Sequence, residues 1–171
     1  AEGTLAALFS SEMMTEDGIL TQQGSTTFWD RSTLYALRGA FAAGHADAAL
    51  SQLHNYSERR LLGTHVPYPV EAYPEGSQRH LSGESALYCR VITEGLFGIR
   101  PSGFDSFNLK IRMPSDWDEM ALNHVKAFGK DFDIKVKRLD GQRLRIGISC
   151  DGRLREYSVK SGQEIKNISL R

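Results

Sequence analysis

The chain has few of the features that define the more specialised classes of protein. Only two of its 171 residues are cysteine and five are proline, and 21 basic residues balance 21 acidic ones. No apolar run approaches the ~18 residues of a membrane-spanning helix. Nucleic acids and anionic membranes call for a clustered basic excess, so we expect neither as a partner.

Cysteine and histidine have no metal-site spacing. Cys89 falls on a predicted helix and Cys150 on a predicted strand, and free cysteine is among the most buried residue types. We therefore predict two buried free thiols. His80 and Glu84 are four residues apart, but no further ligands accompany them, and the other histidines are scattered. We expect no metal and no cofactor.

The first half of the sequence has helical periodicity. Apolar residues recur at helical spacing over residues 4–14, 31–43 and 46–62. Asp30 is a plausible N-cap of the second helix, and Gly44 ends it. The short connection to the third helix predicts an antiparallel helical hairpin.

A fourth helix is predicted over residues 82–97, ending at Gly95 and Gly98, with Pro101 just beyond. Because it is apolar nearly all round, we expect it to be buried against several neighbours. The three other predicted helices are too few to surround it.

The second half changes to a period of two. Apolar residues alternate with polar ones from Phe104 onward, at Phe107, Leu109, Ile111, Met113, Phe132, Ile134, Val136, Leu144, Ile146 and Ile148. A less regular strand is predicted over residues 120–128, and hairpin turns at Asp140-Gly141, Asp151-Gly152 and Ser161-Gly162. Five or six strands should form one antiparallel meander. Helices followed by strands predict an α+β chain.

The loop between the halves carries the most reactive-looking residues. Pro67, Pro69 and Pro74 restrict its backbone. It holds two acids, a base and aromatic rings, a combination that ordered loops often present to a cleft. These candidate residues are Glu71, Glu75, Tyr68, Tyr73, Arg79 and His80.

The junction resembles a known glycosidase superfamily. Residues 85–117, SALYCRVITEGLFGIRPSGFDSFNLKIRMPSDW, are similar to the carboxyl-terminal end of the six-hairpin glycosidases. The α-rhamnosidase, glucoamylase and cellobiose-phosphorylase-like branches share this ending: a last (α/α)6-barrel helix, a glycine-rich turn and a small β-sandwich. The resemblance implies that residues 1–100 are the last helices of an incomplete barrel and residues 101–171 an antiparallel β-sandwich.

The resemblance also implies a larger catalytic unit. A complete barrel has twelve helices, and periodicity predicts about four here. We therefore expect this chain to be the carboxyl-terminal part of a longer enzyme. The alternatives are that another chain supplies the remaining helices, or that the chain self-associates. A periplasmic or secreted location is implied by the family alone, and a cytoplasmic location stays open.

The implied reaction is hydrolysis of a glycosidic bond with inversion, on an oligosaccharide or other glycoside. In the superfamily the base commonly lies just before the last barrel helix, where this chain has Glu71 and Glu75. The general acid should lie upstream of this chain. Glu84 is interpreted as a negative charge near a helix N-terminus. The alternative for Glu71 and Glu75 is a solvated loop paired with Arg79 or helix donors.

Candidate substrate-binding residues are Trp29, Asp30 and Arg31, together with Tyr68, Tyr73 and His80 of the loop. An exposed indole beside an acid and a guanidinium can stack on a sugar and bind its hydroxyls. In the alternative arrangement, Trp29 packs under the helix and Asp30 caps it.

Two other functions stay open. A glycoside phosphorylase relative would use phosphate in place of water. A non-catalytic carbohydrate-binding or interaction module would use the β-sandwich as a docking surface.

Overall fold

The computed structural model describes residues 2–27, 29–62, 69 and 82–171. The chain divides into two compact units, Ala1–Leu96 and Phe97–Arg171. The first contains helices and the second two antiparallel sheets, which confirms the α+β class. From the sequence, the helical part was predicted to end at residue 100 and the strand part to begin at residue 101. In the structure, the boundary between the two compact units falls at residues 96–97. No helix within the described residues has the length and hydropathy to cross a bilayer.

In its described residues, the helical unit contains four α-helices and one π-helical segment. They are α1 (Glu2–Leu8), α2 (Asp30–Ala43), α3 (Ala46–Arg60), α4 (Ser82–Arg90) and the π segment (Val91–Leu96). Helix α1 is shorter than the predicted span of residues 4–14. The chain turns after Leu8, and the Ser10 hydroxyl donates to the Ala7 carbonyl at 2.7 Å instead of continuing the helix.

Helices α2 and α3 form the predicted antiparallel hairpin. Gly44 ends α2 in the left-handed conformation, with φ 99°, and its N–H donates to the Phe41 carbonyl. At the far end of the pair, Arg60 of α3 lies 3.5 Å from Asp30 of α2. The facing sides bury the apolar residues Leu34, Leu37, Ala40, Phe41, Ala49, Leu53 and Tyr56.

The fourth helix differs from its prediction. It becomes π-helical at Val91, and its i→i+5 bonding brings residues five apart towards the same side. Val91 and Leu96 are both buried in this way. A Cβ on Gly95 would lie 3.3 Å from Phe41 Cβ, so the glycine permits close packing on α2.

Burial on all sides of this helix was a wrong prediction. Ala86, Cys89 and Arg90 are exposed, so one side faces solvent. Cys89 and Cys150 are both free thiols, but Cys89 is exposed and Cys150 half-buried, so predicted burial is wrong for both. The free state of both thiols agrees with the prediction.

The strand unit contains seven strands. In chain order they are β1 (Ile99–Pro101), β2 (Ser106–Leu109), β3 (Glu119–Ala127), β4 (Lys130–Arg138), β5 (Arg143–Cys150), β6 (Arg153–Lys160) and β7 (Ile165–Ser169). Strands β3 to β6 form a four-stranded antiparallel meander. Strands β1, β2 and β7 form a second antiparallel sheet in that order.

The prediction of a single meander of five or six strands is therefore wrong. The turns at Asp140-Gly141 and Asp151-Gly152 do join paired strands, as predicted. After Ser161-Gly162, however, β7 pairs with β2 rather than with β6. This pairing buries Ile168 opposite Phe107, which the edge of β6 does not offer.

The predicted inward residues of the strands are buried. Phe107 lies at the meeting of the two sheets, and its ring stacks on those of Phe128 and Phe132 with centroids 5.4 Å apart in each case. The alternating apolar residues of β4 and β5 pack around them, each no more than 2% exposed: Phe132, Ile134, Val136, Leu144, Ile146 and Ile148. Period-two patterning correctly identified this core.

Gly98 has a specific structural role where the chain enters the strands. Its φ is +66°, and a Cβ there would lie 2.1 Å from the Lys110 carbonyl oxygen. Only glycine fits both the conformation and the close approach. The last glycine of the GLFG sequence is thus explained by packing.

Candidate functional site

Buried charges gather at one end of the helical unit. Within the described residues, the only buried charged side chains are Asp30, Arg60 and Glu84, each no more than 2% exposed. They lie at the start of α2, the end of α3 and the first turn of α4. Together with Trp29 and Arg31 we call them the charged cluster.

Asp30 is the innermost member of the cluster. Its Oδ2 lies 3.5 Å from Nη2 of Arg60, and both side chains are buried. The prediction that Asp30 is an N-cap is wrong: Trp29 occupies that position, without a side-chain capping bond, and Asp30 is the first helical residue. A buried carboxylate is costly unless it is paired, so its orientation towards Arg60 is physically reasonable.

Tyr56 lies beside this pair and is only 1% exposed. Burial raises the pKa of the Tyr56 phenol well above its usual range, and the negative charge of Asp30 raises it further. The Tyr56 ring stacks on Tyr88 of α4, with centroids 6.3 Å apart. Tyr88 in turn shares a 2.8 Å hydrogen bond with the hydroxyl of Ser57.

Arg31 and Glu84 connect α2 to α4. Arg31 donates to Glu84 Oε1 from Nη2 at 2.6 Å and from Nε at 2.8 Å. Glu84 is 2% exposed, whereas the Arg31 side chain is 45% exposed. Glu84 lies in the first turn of α4, where negative charge is favoured. The buried carboxylate therefore holds a guanidinium that still reaches solvent.

Trp29 completes the cluster on the solvent side. Its side chain is 40% exposed, and the Arg31 guanidinium lies 5.9 Å from its ring centroid. Of the two placements predicted for Trp29, the structure has the exposed indole beside a guanidinium. Asp30, by contrast, is fully buried, so its carboxylate does not reach solvent beside them.

The remaining predicted site residues are not placed. Glu71, Glu75, Tyr68, Tyr73 and His80 all lie outside the described residues. The described residues that precede and follow this segment lie close to the charged cluster. Arg60, near the end of α3, contacts Asp30. Glu84, near the start of α4, contacts Arg31. The chain therefore leaves and re-enters the described structure beside the cluster.

Three residues of this region were not predicted from sequence as site residues: Glu84, Arg60 and the adjacent Tyr56. Glu84 was interpreted as a negative charge near a helix N-terminus, whereas Arg60 and Tyr56 were given no role in a site. A signal was present, because Ala49, Leu53, Tyr56 and Arg60 recur at helical spacing on the face that α3 buries. An arginine that continues a buried stripe indicates a buried acidic partner.

The site combines an aromatic face, a solvent-accessible guanidinium and one buried carboxylate, Glu84, that holds the guanidinium. No group of three or more metal-ligating side chains occurs in the part of the chain that is described. No protein-family model, curated protein or solved structure matches the chain.

Proposed function

We propose that this chain is the carboxyl-terminal part of a six-hairpin glycoside hydrolase, and that the charged cluster forms one wall of its sugar-binding cleft. The observation that carries the proposal is the exposed Trp29–Arg31 pair, held by Glu84. It lies where the chain enters and leaves residues 63–81, which contain Glu71 and Glu75.

The exposed pair suits a sugar because it offers two kinds of contact. The indole face of Trp29 packs against sugar C–H groups, while the Arg31 guanidinium, 45% exposed, donates to hydroxyl oxygens. Glu84 fixes the direction of the guanidinium, which reduces the cost of ordering it when substrate binds. Asp30 acts as a positioning residue, because it is buried against Arg60.

In the proposed reaction, Glu71 or Glu75 removes a proton from water as the water attacks the anomeric carbon. An upstream carboxylic acid protonates the leaving oxygen. Inverting enzymes separate these groups by about 6.5–9.5 Å to leave room for the water. The helical unit is then the end of an incomplete (α/α)6 barrel. The two sheets, joined by the Phe107–Phe132 contact, are its closing β-sandwich.

The first test uses the full-length protein that contains this chain and a panel of aryl glycosides. Once a hydrolysed glycoside is found, Glu71→Gln and Glu75→Gln are compared with Glu94→Gln. Glu94 is the control because its carboxylate is paired with Arg38 and Arg90. Loss of a catalytic base should lower kcat about 10²–10⁴-fold in one loop variant only. Full activity in both loop variants would contradict the assignment.

A second test concerns substrate binding. Trp29→Ala should raise KM about tenfold or more with a smaller change in kcat, since stacking acts before and during reaction. Tyr35→Ala is the control, because that aromatic residue is also exposed on α2. Equal changes in KM and kcat in both variants would contradict the assignment of Trp29 to the sugar-binding cleft.

The same assays separate the other candidate functions. Turnover that requires inorganic phosphate and releases a sugar phosphate would identify a phosphorylase. Glycan binding with no turnover, unchanged in Glu71→Gln and Glu75→Gln, would identify a non-catalytic binding module. Proton NMR of the first product reports whether the anomeric configuration is inverted.

A further inference from the structure

The strand unit contains a pocket whose lining is rich in cations. Its volume is about 270 Å³, and its lining residues are Lys130, Ile148, Cys150, Asp151, Arg153, Arg155, Leu170 and Arg171. Four of these eight residues are cationic and one is acidic. We call it the cationic pocket.

The strand register explains why these cations meet. Cys150 of β5 pairs with Arg153 of β6, and Ile148 pairs with Arg155. Paired residues point to the same face of a sheet, and alternate residues do so along each strand. Ile148 and Leu170 are no more than 5% exposed and provide an apolar floor. The charged side chains surround that floor.

The positive charge of the pocket is only partly neutralised. Lys130 Nζ lies 2.5 Å from Asp151 Oδ2, and this pairing raises the pKa of Lys130 and lowers that of Asp151. Arg155 donates to the Ser169 carbonyl oxygen and to the main-chain oxygen of Arg171. The Arg171 guanidinium pairs with Asp105. Within the described residues, Arg153 forms no ion pair.

We propose that the cationic pocket binds a small molecule that carries one oxyanion group, either a carboxylate or a phosphate. The planar guanidinium of Arg153 can donate two parallel hydrogen bonds to either group, and Lys130 adds a second positive charge. The apolar floor accommodates a compact carbon body. A volume of about 270 Å³ is at the lower end for ligand sites, which limits that body to a few carbon atoms. This site does not depend on hydrolase activity.

The chain contains its own reporter for a test. Cys150 lines the pocket, and the exposed Cys89 of the helical unit is an internal reference. Iodoacetamide alkylation of each thiol is followed by mass spectrometry of peptides, with inorganic phosphate added at constant ionic strength. We expect phosphate to slow alkylation of Cys150 in a saturable manner and to leave Cys89 unchanged. Equal slowing at both thiols, or none at Cys150, would overturn the proposal.

Two ligands with similar bodies separate the two oxyanions. Glycerol phosphate and glycerate are titrated in the same way, and the one that protects Cys150 at the lower concentration identifies the preferred group. If Cys150 does not react with iodoacetamide, the titrations are followed from the backbone amide shifts of Cys150 and Arg153. Absence of saturable shifts for every probe would also overturn the proposal.

A matched pair of variants tests which cation binds. Arg153→Gln should weaken protection about tenfold or more, the usual effect of losing a charged hydrogen bond. Arg145→Gln is the control, because Arg145 is in the same sheet but its side chain lies on the opposite face from the pocket. Equal weakening by both variants would indicate attraction to general surface charge and would contradict a defined site.

Discussion

The helical and strand units differ in where they place charge. The helical unit buries Asp30, Arg60 and Glu84 at one end. In the strand unit, none of the buried residues is charged, and its core is formed by apolar side chains around Phe107. Its many cations and acids are exposed or half-buried, among them Lys135 and Lys137 on the outward face of β4.

This difference indicates what each arrangement is for. Burying an ion pair costs desolvation energy that its attraction often fails to recover, whereas burying apolar area is directly stabilising. The strand unit is therefore organised for stability. The charged cluster is better explained by the geometry that it fixes, because it holds Arg31 next to the exposed Trp29.

Among the tests of this difference between the units, removing a buried charge should change the free energy of unfolding most. Arg60→Ala removes the positive charge that pairs with buried Asp30 and should destabilise the helical unit by about 3–5 kcal/mol. Urea unfolding is followed by circular dichroism at 222 nm. A Trp117→Phe background leaves Trp29 as the fluorescent reporter of this unit. Arg59→Ala is the neighbouring control, since Arg59 is 43% exposed and its partner Glu16 is 84% exposed, and it should cost less than about 1 kcal/mol. Similar losses in both variants would refute the distinction.

The strand unit should be most sensitive to packing. Gly98→Ala forces a Cβ against the Lys110 carbonyl and should cost about 3 kcal/mol. Gly129→Ala has the same backbone requirement, with φ +69°, but nothing within 4 Å of the new Cβ. It should cost only about 1–2 kcal/mol. Equal losses, measured by thermal unfolding, would show that conformation alone explains Gly98.

Alkaline pH should affect the helical unit through Tyr56. Because burial raises its pKa in the folded state, the unfolded state loses its proton first as pH rises above about 10. Stability from this group is complete below that pH and falls by up to about 1.4 kcal/mol per pH unit above it. Tyr56→Phe should remove this slope. Tyr35→Phe is the control because its ring is 45% exposed, and a slope unchanged in Tyr56→Phe would exclude Tyr56 as the cause.

The smallest expected effect is acid sensitivity at a strand turn. Hydrogen bonds from the Arg143 side chain and the backbone N–H groups of Gln142 and Arg143 lower the pKa of Asp140 to about 2. Its stabilising contribution is present above pH about 4 and is lost as pH falls towards 2. Asp140→Ala should therefore be less acid-sensitive than the parent chain, with Asp116→Ala as the control. Identical acid unfolding of Asp140→Ala and the parent chain would contradict this role.

The sequence predicted those parts of the fold that depend on neighbouring residues. Period-two patterning identified the buried positions of β4 and β5, and glycine identified the end of α2. The position of β7 was missed, because a turn at Ser161-Gly162 has the same local sequence whether the next strand pairs with β6 or β2. Only the distant opportunity to bury Ile168 against Phe107 distinguishes the two arrangements.

The same limit applies to the candidate site. Trp29 and Arg31 were identified as a pair because they are close in sequence. The partners that hold them are far away, since Glu84 follows Arg31 by 53 residues. Exposure of Cys89 was missed for a similar reason: an apolar helix does not reveal which of its sides lacks a neighbour.

The pairing of β2 with β7 has a consequence for biosynthesis. Phe107 contacts Ile168 across a sheet whose two strands are separated by the entire four-stranded meander. The ribosome makes β2 well before its partner, so during that interval one edge of β2 has unpaired backbone groups. The meander, whose strands pair with their immediate successors, can form first. A stalled chain that lacks β7 would therefore expose the unpaired edge of β2, which can pair with a strand of another chain, while the meander is already folded.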